Sequence, residues 1–270
     1  MLLETKSVEK PWGKDRLPAP FDAPPGKRIG EIWFEPPPQL PELLVKYIFT
    51  SEKLSVQVHP SDTQTQAAGL GKQGKEECWL VIDAEPGAVL GIGFGQTVDA
   101  HSMRAAALDG SIEAMLTWYP VRPGDFFYIP ANTVHAIGAG CSIIEIQQNS
   151  DITYRLYDYG RPRELHLEES VRVAKGGPYD EACRKRVPDD ASVKLVDGPF
   201  FRLDFVRGQP ASGVAAAYAG ALLVIPRQGE ATVGGERVKP GECALASSIA
   251  EVNFAPQGSC LITQPIAGAR

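Results

Sequence analysis

Short apolar runs, separated by proline or glycine, recur along the first half of the chain. They are rich in Val, Ile, Phe and Tyr, which fit the pleated, half-buried surface of a β-sheet. The runs are 30-GEIWF-34, 43-LLVKYIF-49, 54-LSVQVH-59, 78-CWLVI-82, 88-AVLGIGF-94, 126-FFYIP-130 and 142-SIIEIQQ-148. This pattern predicts a mainly β fold, either a sandwich or a barrel.

Helix signals are few. The segment 98-VDAHSMRAAALDG-110 holds good helix formers and ends in Gly, and 111-SIEAMLTW-118 begins with a Ser that suits an N-cap. Together they predict a short helical insertion over about residues 97–118. The segment 166-HLEESVRVAK-175, which precedes Gly176, predicts a helix that leaves the first domain.

The last part of the chain echoes the first. The segment 238-VKPGECALASSIAEVNFAPQGSCLIT-263 repeats the order of 121-VRPGDFFYIPANTVHAIGAGCSIIEI-146, with the same turn, strand, loop and strand. In this alignment Val252 falls opposite His135, and Gly220 falls opposite Glu77. We therefore expect a metal-binding catalytic domain over 1–175, a polar linker over 176–192, and a second β domain over 193–270 without metal ligands.

Charge and hydropathy exclude two classes of partner. The net charge of −6 and the pI near 5.4 argue against nucleic acid, because duplex binders carry a basic surplus that replaces counterions. The N-terminal segment carries charge where a signal peptide needs its apolar core, and no apolar run is long enough to span a membrane. We expect a cytoplasmic protein in which a local basic cluster meets any anionic ligand.

Four polar residues from three separate segments form a candidate metal site. In 55-SVQVHP-60 the period of a β-strand places Ser55, Gln57 and His59 on one face. Glu77 heads a later strand, and His135 lies in the turn 130-PANTVHAIG-138. An amide, two imidazoles and a carboxylate suit Zn²⁺, Fe²⁺ or Mn²⁺, and ligand softness alone does not choose among them.

Basic residues lie next to this candidate site. Lys75 stands two residues before Glu77, so an extended backbone puts both side chains on one face. The segment 147–164 carries Arg155, Arg161 and Arg163 among tyrosines. One interpretation is a solvated charged loop. The other is an arginine fork for a phosphate or a developing oxyanion, which planar guanidinium groups bind in a bidentate way.

Several of these segments, taken in order, resemble type I mannose-6-phosphate isomerase, a zinc-dependent cupin enzyme, in its short bacterial form. They are 11-PWG-13, 54-LSVQVHPSD-62, 74-GKEECWLV-81, 121-VRPGDFFYIPANTVHAIGAG-140 and 145-EIQQNSDITYRLYDYGR-161. The resemblance runs from about residue 10 to 175. It implies a cupin (jelly-roll) β-barrel with a few helices, followed by a second, degenerate cupin-like β domain.

The resemblance also implies ligands and a cofactor. It assigns one Zn²⁺ per chain, with other divalent metals possible, to Gln57, His59, Glu77 and His135. Glu77 is preferred to Glu76 because the family motif places its ligand immediately before the Cys-Trp pair.

Further residues match positions that act on the substrate in this family. Lys75 corresponds to the active-site lysine and Arg155 to the catalytic arginine. Ser55 and Arg161 correspond to positions near the sugar phosphate. The chain is shorter than many members, so walls of the substrate pocket are either missing or supplied by a partner. The sequence is compatible with a monomer or a homodimer.

The implied reaction interconverts mannose 6-phosphate and fructose 6-phosphate through a cis-enediol. Two alternatives remain open at this point. A catalytically silent cupin would bind a sugar phosphate as a sensor, and an Fe(II) dioxygenase would use two histidines and one carboxylate with open coordination positions. Gln57 and the basic cluster speak against the dioxygenase, and the complete ligand set speaks against the sensor.

Overall fold

The computed structural model describes residues 1–266, which are built mainly from antiparallel strands. The strands are β1 (Thr5–Lys14), β2 (Ile29–Phe34), β3 (Leu43–Phe49), β4 (Val56–Val58), β5 (Glu77–Ala84), β6 (Val89–Phe94), β7 (Leu116–Pro120), β8 (Asp125–Ile129), β9 (His135–Ile137), β10 (Cys141–Gln148), β11 (Tyr154–Tyr157), β12 (Arg184–Arg186), β13 (Val193–Asp197), β14 (Phe201–Arg207), β15 (Leu222–Gln228), β16 (Ala231–Val233), β17 (Glu236–Val238), β18 (Ala244–Ala246), β19 (Val252–Phe254) and β20 (Ser259–Pro265). The helices are α1 (Asp62–Ala67), α2 (Ala100–Asp109), α3 (Ile112–Met115), α4 (Leu167–Val173) and α5 (Ser212–Ala217). The predicted mainly β fold with a few helices is confirmed.

Two sheets enclose the first core. The larger has the strand order β1-β2-β3-β10-β5-β8-β12, and the smaller has the order β11-β4-β9-β6-β7. The alternation of the strands turns one set of apolar side chains into the space between the sheets, where Trp79, Leu90, Ile92, Phe127 and Ile143 are fully buried. Burial of each such side chain contributes about 1.5–3 kcal/mol.

The helices α2, α3 and α4 cover the outer face of the smaller sheet. Val56 and Val58 on β4 point outward and pack in the same apolar cluster as Met103 and Ala107 of α2. Because these two valines face the helices, the residue between them faces the space between the sheets. No helix within residues 1–266 combines the length and the apolar character that crossing a membrane requires.

The helical insertion is shorter than its predicted range of about 97–118. The Asp99 side chain accepts a hydrogen bond from the Ser102 amide at the start of α2, and Gly110, with φ of 84°, ends it. Helix α3 ends at Met115, however, and Leu116–Pro120 forms β7. The prediction of helix over 116–118 is therefore wrong, because these residues pair with β6, as in Gly91 opposite Trp118.

The second half of the chain repeats the sheet topology of the first. The order β3-β10-β5-β8 recurs as β14-β20-β15-β18, and β9-β6-β7 recurs as β19-β16-β17. Val252 opens β19 as His135 opens β9, so the second copy carries an apolar residue at the position of the histidine. The domain boundaries stay a prediction. Residues 184–186 of the predicted linker form β12 beside β8, and residues 267–270 of the predicted second domain lie outside the described part.

The two halves share a core. The outer face of the larger sheet packs against the five-stranded sheet of the second half, and the buried residues there include Tyr47, Phe49 and Ile144 from the first half and Phe201 and Ile225 from the second. The larger sheet is therefore covered on both faces, which fixes the strands that carry the candidate site.

Candidate metal centre and substrate site

The pairing of β4 with β9 brings two predicted ligands to the inner side of the smaller sheet. Its flanking valines face the helices, so Gln57 faces inward. The only register pair between β4 and β9 is Gln57 opposite His135. Directly opposed residues lie on the same face of an antiparallel sheet. One ladder contact thus brings together residues that are far apart in the sequence.

Backbone carbonyls fix the tautomers of both imidazoles. Nδ1 of His59 donates to the carbonyl of Ile152 at 2.9 Å, and Nδ1 of His135 donates to the carbonyl of Thr133 at 2.9 Å. Since a carbonyl only accepts, Nε2 of each ring carries a lone pair that is directed into the site. Metal-binding histidines are commonly oriented by such a bond from their second nitrogen.

The Glu77 carboxylate lies between the two rings. Oε1 is 3.3 Å from Nε2 of His135, and Oε2 is 3.5 Å from Nε2 of His59. All three side chains are nearly inaccessible to solvent, and one ligand atom from each lies within 4.8 Å of the others. Oε1 of Glu77 accepts no hydrogen bond from the described residues. Two acceptors that face each other without a donor between them fit a bound cation.

The protonation states suit a metal. Burial lowers the pKa of His59 and of His135, and the nearby Lys75 ammonium lowers the pKa of His59 further. Burial tends to raise the pKa of Glu77, but the positive charges of Lys75 and Lys46 lower it, and the net shift is downward. Both imidazoles are therefore neutral near pH 7 and the carboxylate is ionised, which are the ligand forms that divalent metals bind.

One rotation of the Gln57 amide would add it to the predicted ligand set. Its amide nitrogen lies 3.2 Å from Nε2 of His135, while Oε1 accepts from Ser55 Oγ at 3.4 Å. A half-turn of the amide would present the oxygen to a metal and leave the amide nitrogen beside the Ser55 hydroxyl. The two groups would then still be able to hydrogen-bond, because a hydroxyl both donates and accepts.

Lys75 extends into the same space, as its position two residues before Glu77 predicts. Its ammonium is 2.9 Å from Oε2 of Glu77 and 3.3 Å from Nε2 of His59. The side chain is buried. Lys75 thus supplies a proton donor at the edge of the candidate metal site.

Arg155 and Arg161 take different positions. Arg155 lies on β11 directly opposite Gln57, and its Nη1 donates to the Glu164 carbonyl at 2.7 Å. Its buried Nε has no acceptor among the described residues. Arg161 binds the Lys53 carbonyl at 2.8 Å and the Asp158 carboxylate at 2.7 Å. Arg155 therefore adjoins a predicted ligand, whereas Arg161 is held in a loop that contacts the segment before β4.

A buried ion pair on the inner face of the larger sheet escaped the sequence reasoning. Lys46 and Glu145 are register partners on β3 and β10, with Nζ 2.6 Å from Oε2. The Trp79 indole donates to Glu145 at 2.9 Å, and its ring meets that of His135 at a centroid distance of 5.3 Å. Burial alone would lower the pKa of Lys46, but Glu145 and Glu31 raise it. The sequence signal for this pair is that Lys46 and Glu145 each lie inside an apolar run.

Helix α1 ties together the segments that carry the ligands. Oδ1 of Asp62 accepts from the Gly74 amide at 2.7 Å and from the Gln148 side chain at 2.9 Å. Oε1 of Gln148 in turn accepts from the Glu76 amide at 2.9 Å. A Cβ at Gly74 would lie 2.3 Å from the Pro60 carbonyl, so the chain before Lys75 passes very close to the chain after His59. Asp62 thus holds these two segments in register.

Asp62→Ala is expected to weaken metal binding about 10- to 100-fold, the usual cost of losing a group that supports the ligands. Asp62→Asn keeps an oxygen acceptor for the Gly74 amide and is expected to lose much less. Metal affinity would be measured by competition with a chromophoric chelator, with urea denaturation as the check on folding. Equal affinity in Asp62→Ala and the unaltered protein would contradict this role.

Comparisons with known proteins show which proteins the chain is similar to. No family model matches it. It is 44% identical over 168 residues to mannose-6-phosphate isomerase ManA of Bacillus subtilis, covering 59% of this chain and 53% of that protein. It is 37% identical over 206 residues to mannose-6-phosphate isomerase of Streptococcus mutans, covering 72% of this chain and 64% of that protein. The chain is thus similar in sequence to mannose-6-phosphate isomerases.

Solved structures of mannose-6-phosphate isomerases share the fold. The crystal structure of the mannose 6-phosphate isomerase from Bacillus subtilis superposes with a TM-score of 0.78, covering 97% of this chain and 98% of that one at 24% identity. A mutant phosphomannose isomerase from Salmonella typhimurium gives a TM-score of 0.75 at 15% identity, covering 98% of this chain and 99% of that one. At these identities the structures show the fold alone, and they confirm the predicted cupin fold. The sequence matches span about half to two thirds of the length of the curated relatives.

Proposed function

We propose that the chain is an aldose–ketose isomerase that interconverts mannose 6-phosphate and fructose 6-phosphate. The observation that carries this proposal is the buried cluster of His59, Glu77 and His135, in which two lone pairs face an ionised carboxylate. Lys75 and Arg155 adjoin this cluster. The names of the relatives supply the substrate, and the arrangement of the residues is suited to the chemistry.

The metal in this proposal is a single Zn²⁺ held by Gln57, His59, Glu77 and His135. A mixed set of nitrogen and oxygen ligands without cysteine is typical of catalytic zinc sites, and the same set also accepts other divalent metals. When bound, such a cation supplies Lewis acidity that stabilises charge on the substrate oxygens by several kcal/mol. One equivalent per chain is the expected content.

The residues of the chain supply orientation and proton donors. Moving a proton between C1 and C2 builds negative charge on an oxygen, and buried cationic donors stabilise that charge best where water is excluded. The Arg155 Nε, which has no acceptor within residues 1–266, is placed to donate to this oxygen. The Lys75 ammonium, directly or through a water molecule, polarises or protonates an oxygen of the substrate. A positioned proton donor of this kind contributes roughly 10²–10⁴-fold.

Ser55 and Arg161 are proposed to contact the sugar phosphate. Ser55 is buried beside Gln57. Arg161 is half-buried, and the Asp158 carboxylate and the Lys53 carbonyl hold its guanidinium. Asp158 also pairs with Arg163 at 2.6 Å, so its charge is shared between two arginines. A phosphate that approaches this loop would therefore meet a net positive charge.

A coupled assay for fructose 6-phosphate formation from mannose 6-phosphate tests the function. We expect turnover that a chelator abolishes and that added zinc restores. Binding of mannose 6-phosphate without turnover would instead identify a sensor, and iron-dependent oxygen uptake would identify a dioxygenase. Either result would overturn the isomerase proposal. Metal analysis of the purified protein separates zinc from other divalent ions.

A further inference from the structure

Two arginines border a small cavity between the halves of the molecule, away from the candidate metal site. Arg207 ends β14, and Arg227 lies near the end of β15. The cavity has a volume of about 210 Å³. Its opposite wall includes Leu80 and Ile82 of β5, which alternate with the residues that point to the metal site. The cavity is therefore on the outer side of the strand that carries Glu77.

The strand pattern directs both arginines into this space. On β14, Leu203 and Phe205 face the shared core, and Arg207 is the next residue on that face. On β15, Ile225 faces the shared core, and Arg227 is the next on its face. On each strand, the apolar residues of the core-facing side are thus followed by an arginine at the rim of the cavity. A continued apolar pattern would place an apolar side chain there.

A β-bulge leaves Arg227 without a ladder partner. In the pairing of β15 with β20, Pro226 lies opposite Cys260 and Gln228 lies opposite Ser259, with a register shift between them. Arg227 is therefore the extra residue. Bulges of this kind are common next to functional sites, and the unpaired Arg227 lines the cavity.

Neither arginine is neutralised by the described residues. Within residues 1–266 no carboxylate oxygen lies within 4.0 Å of either guanidinium. Arg207 donates to the Gln228 amide oxygen at 3.4 Å. Arg227 lies close enough to Tyr47 to lower the pKa of that phenol, which burial raises. Asp189 also borders the cavity, but it is exposed and beyond ion-pair distance.

Some cations elsewhere in the described residues do have a carboxylate partner. Lys46 pairs with Glu145, and Arg186 pairs with Asp125 at 2.9 Å. Two half-buried positive charges that share one cavity repel each other more strongly than they would in water. A bound anion would offset both charges, and guanidinium groups bind tetrahedral oxyanions in a bidentate way.

We propose that this cavity between the two halves binds a phosphate group, either as inorganic phosphate or as part of a small phosphorylated metabolite. Arg207 and Arg227 supply the charge, and the Ser259 hydroxyl, which also borders the cavity, supplies a further donor. The proposal gives the second half, whose described residues form no candidate metal cluster, a ligand of its own. It does not depend on the isomerase activity.

Calorimetric titration with inorganic phosphate tests the site. Arg161→Ala is included in every protein, because Arg161 is the arginine proposed to contact the sugar phosphate, so that phosphate binding at the candidate active site is weakened in all of them. In that background, Arg207→Gln with Arg227→Gln is expected to weaken phosphate binding at least tenfold. Arg237→Gln serves as the matched control, because Arg237 is exposed and lies 3.7 Å from Glu230. Equal affinity in the double variant and the control would overturn the proposal.

A second measurement uses the unaltered protein and does not depend on how the variants fold. Phenylglyoxal modifies accessible arginines, and mass spectrometry identifies each modified residue. Phosphate is expected to protect Arg207 and Arg227 but to leave Arg237 reactive. Comparison of inorganic phosphate with a sugar phosphate then shows which source of the phosphate group the cavity accepts. Failure of both to protect either cavity arginine would overturn the proposal.

Discussion

Replacing His135 with alanine is expected to abolish stoichiometric metal binding and to lower kcat/KM by about 10³-fold or more. The ring has no exposure to solvent, and its Nε2 is directed at Glu77 by the bond from Nδ1 to the Thr133 carbonyl. Its removal leaves Glu77 without the ligand nearest to Oε1. A metal supplies several kcal/mol of charge stabilisation, and each 1.36 kcal/mol corresponds to roughly tenfold in rate.

His101→Ala is the matched control for this variant. His101 lies on α2 and is exposed, so its loss is expected to change neither metal content nor turnover. Inductively coupled plasma mass spectrometry measures the metal content, and the coupled assay measures turnover. Urea denaturation checks that His135→Ala remains folded. A folded His135→Ala protein with one metal per chain would show that His135 is not a ligand.

Local patterns in the sequence predict which residues are ligands, but they do not predict how strand pairing brings those residues together. The alternation in 55-SVQVHP-60 places Gln57 and His59 on one face, and the structure has Gln57 facing inward between two valines that face the helices. What joins these residues to His135 is the pairing of β4 with β9. Strand pairing across such a separation depends on tertiary packing, which a period of two does not encode.

The Lys46–Glu145 pair shows the same limit. Each charge interrupts an apolar run, which is visible in 43-LLVKYIF-49 and 142-SIIEIQQ-148. That the two charges are partners depends on the register of β3 against β10. Burial of a charged side chain is tolerated where a partner offsets it. A single charged residue in a buried strand therefore predicts an ion-pair partner of opposite charge. Only the strand register shows which residue that partner is.

Two local errors have local causes. The sequence predicts helix over residues 116–118 because they follow a Ser that suits an N-cap. Leu, Thr and Trp also suit a strand, and pairing with β6 makes these residues a strand.

The sequence analysis missed helix α1, although 61-SDTQ-64 fits a capping box, in which Ser61 and Gln64 bond each other's backbone amides. The repeat was easier to predict, since both copies carry the same Pro-Gly turn.

Replacing Arg155 with alanine is expected to lower kcat by about 10²–10³-fold, the usual cost of removing one donor to a developing oxyanion. Metal content is expected to be unchanged, because Arg155 contributes no ligand and lies across the ladder from Gln57. Its Nη1 is already bonded to the Glu164 carbonyl, which holds the guanidinium in place while Nε remains without an acceptor among the described residues. The loss should therefore fall on kcat more than on metal binding or stability.

Two further substitutions separate the charge of Arg155 from its shape. Arg155→Lys keeps the positive charge but not the planar fork, so it is expected to recover only part of kcat. Arg104→Ala is the control, since Arg104 is an exposed arginine of α2 that pairs with Glu168 at 2.8 Å. Near-normal kcat in Arg155→Ala with metal intact would end the proposed role. Loss of metal in that variant would instead assign Arg155 to support of Gln57, because the two residues are direct register partners.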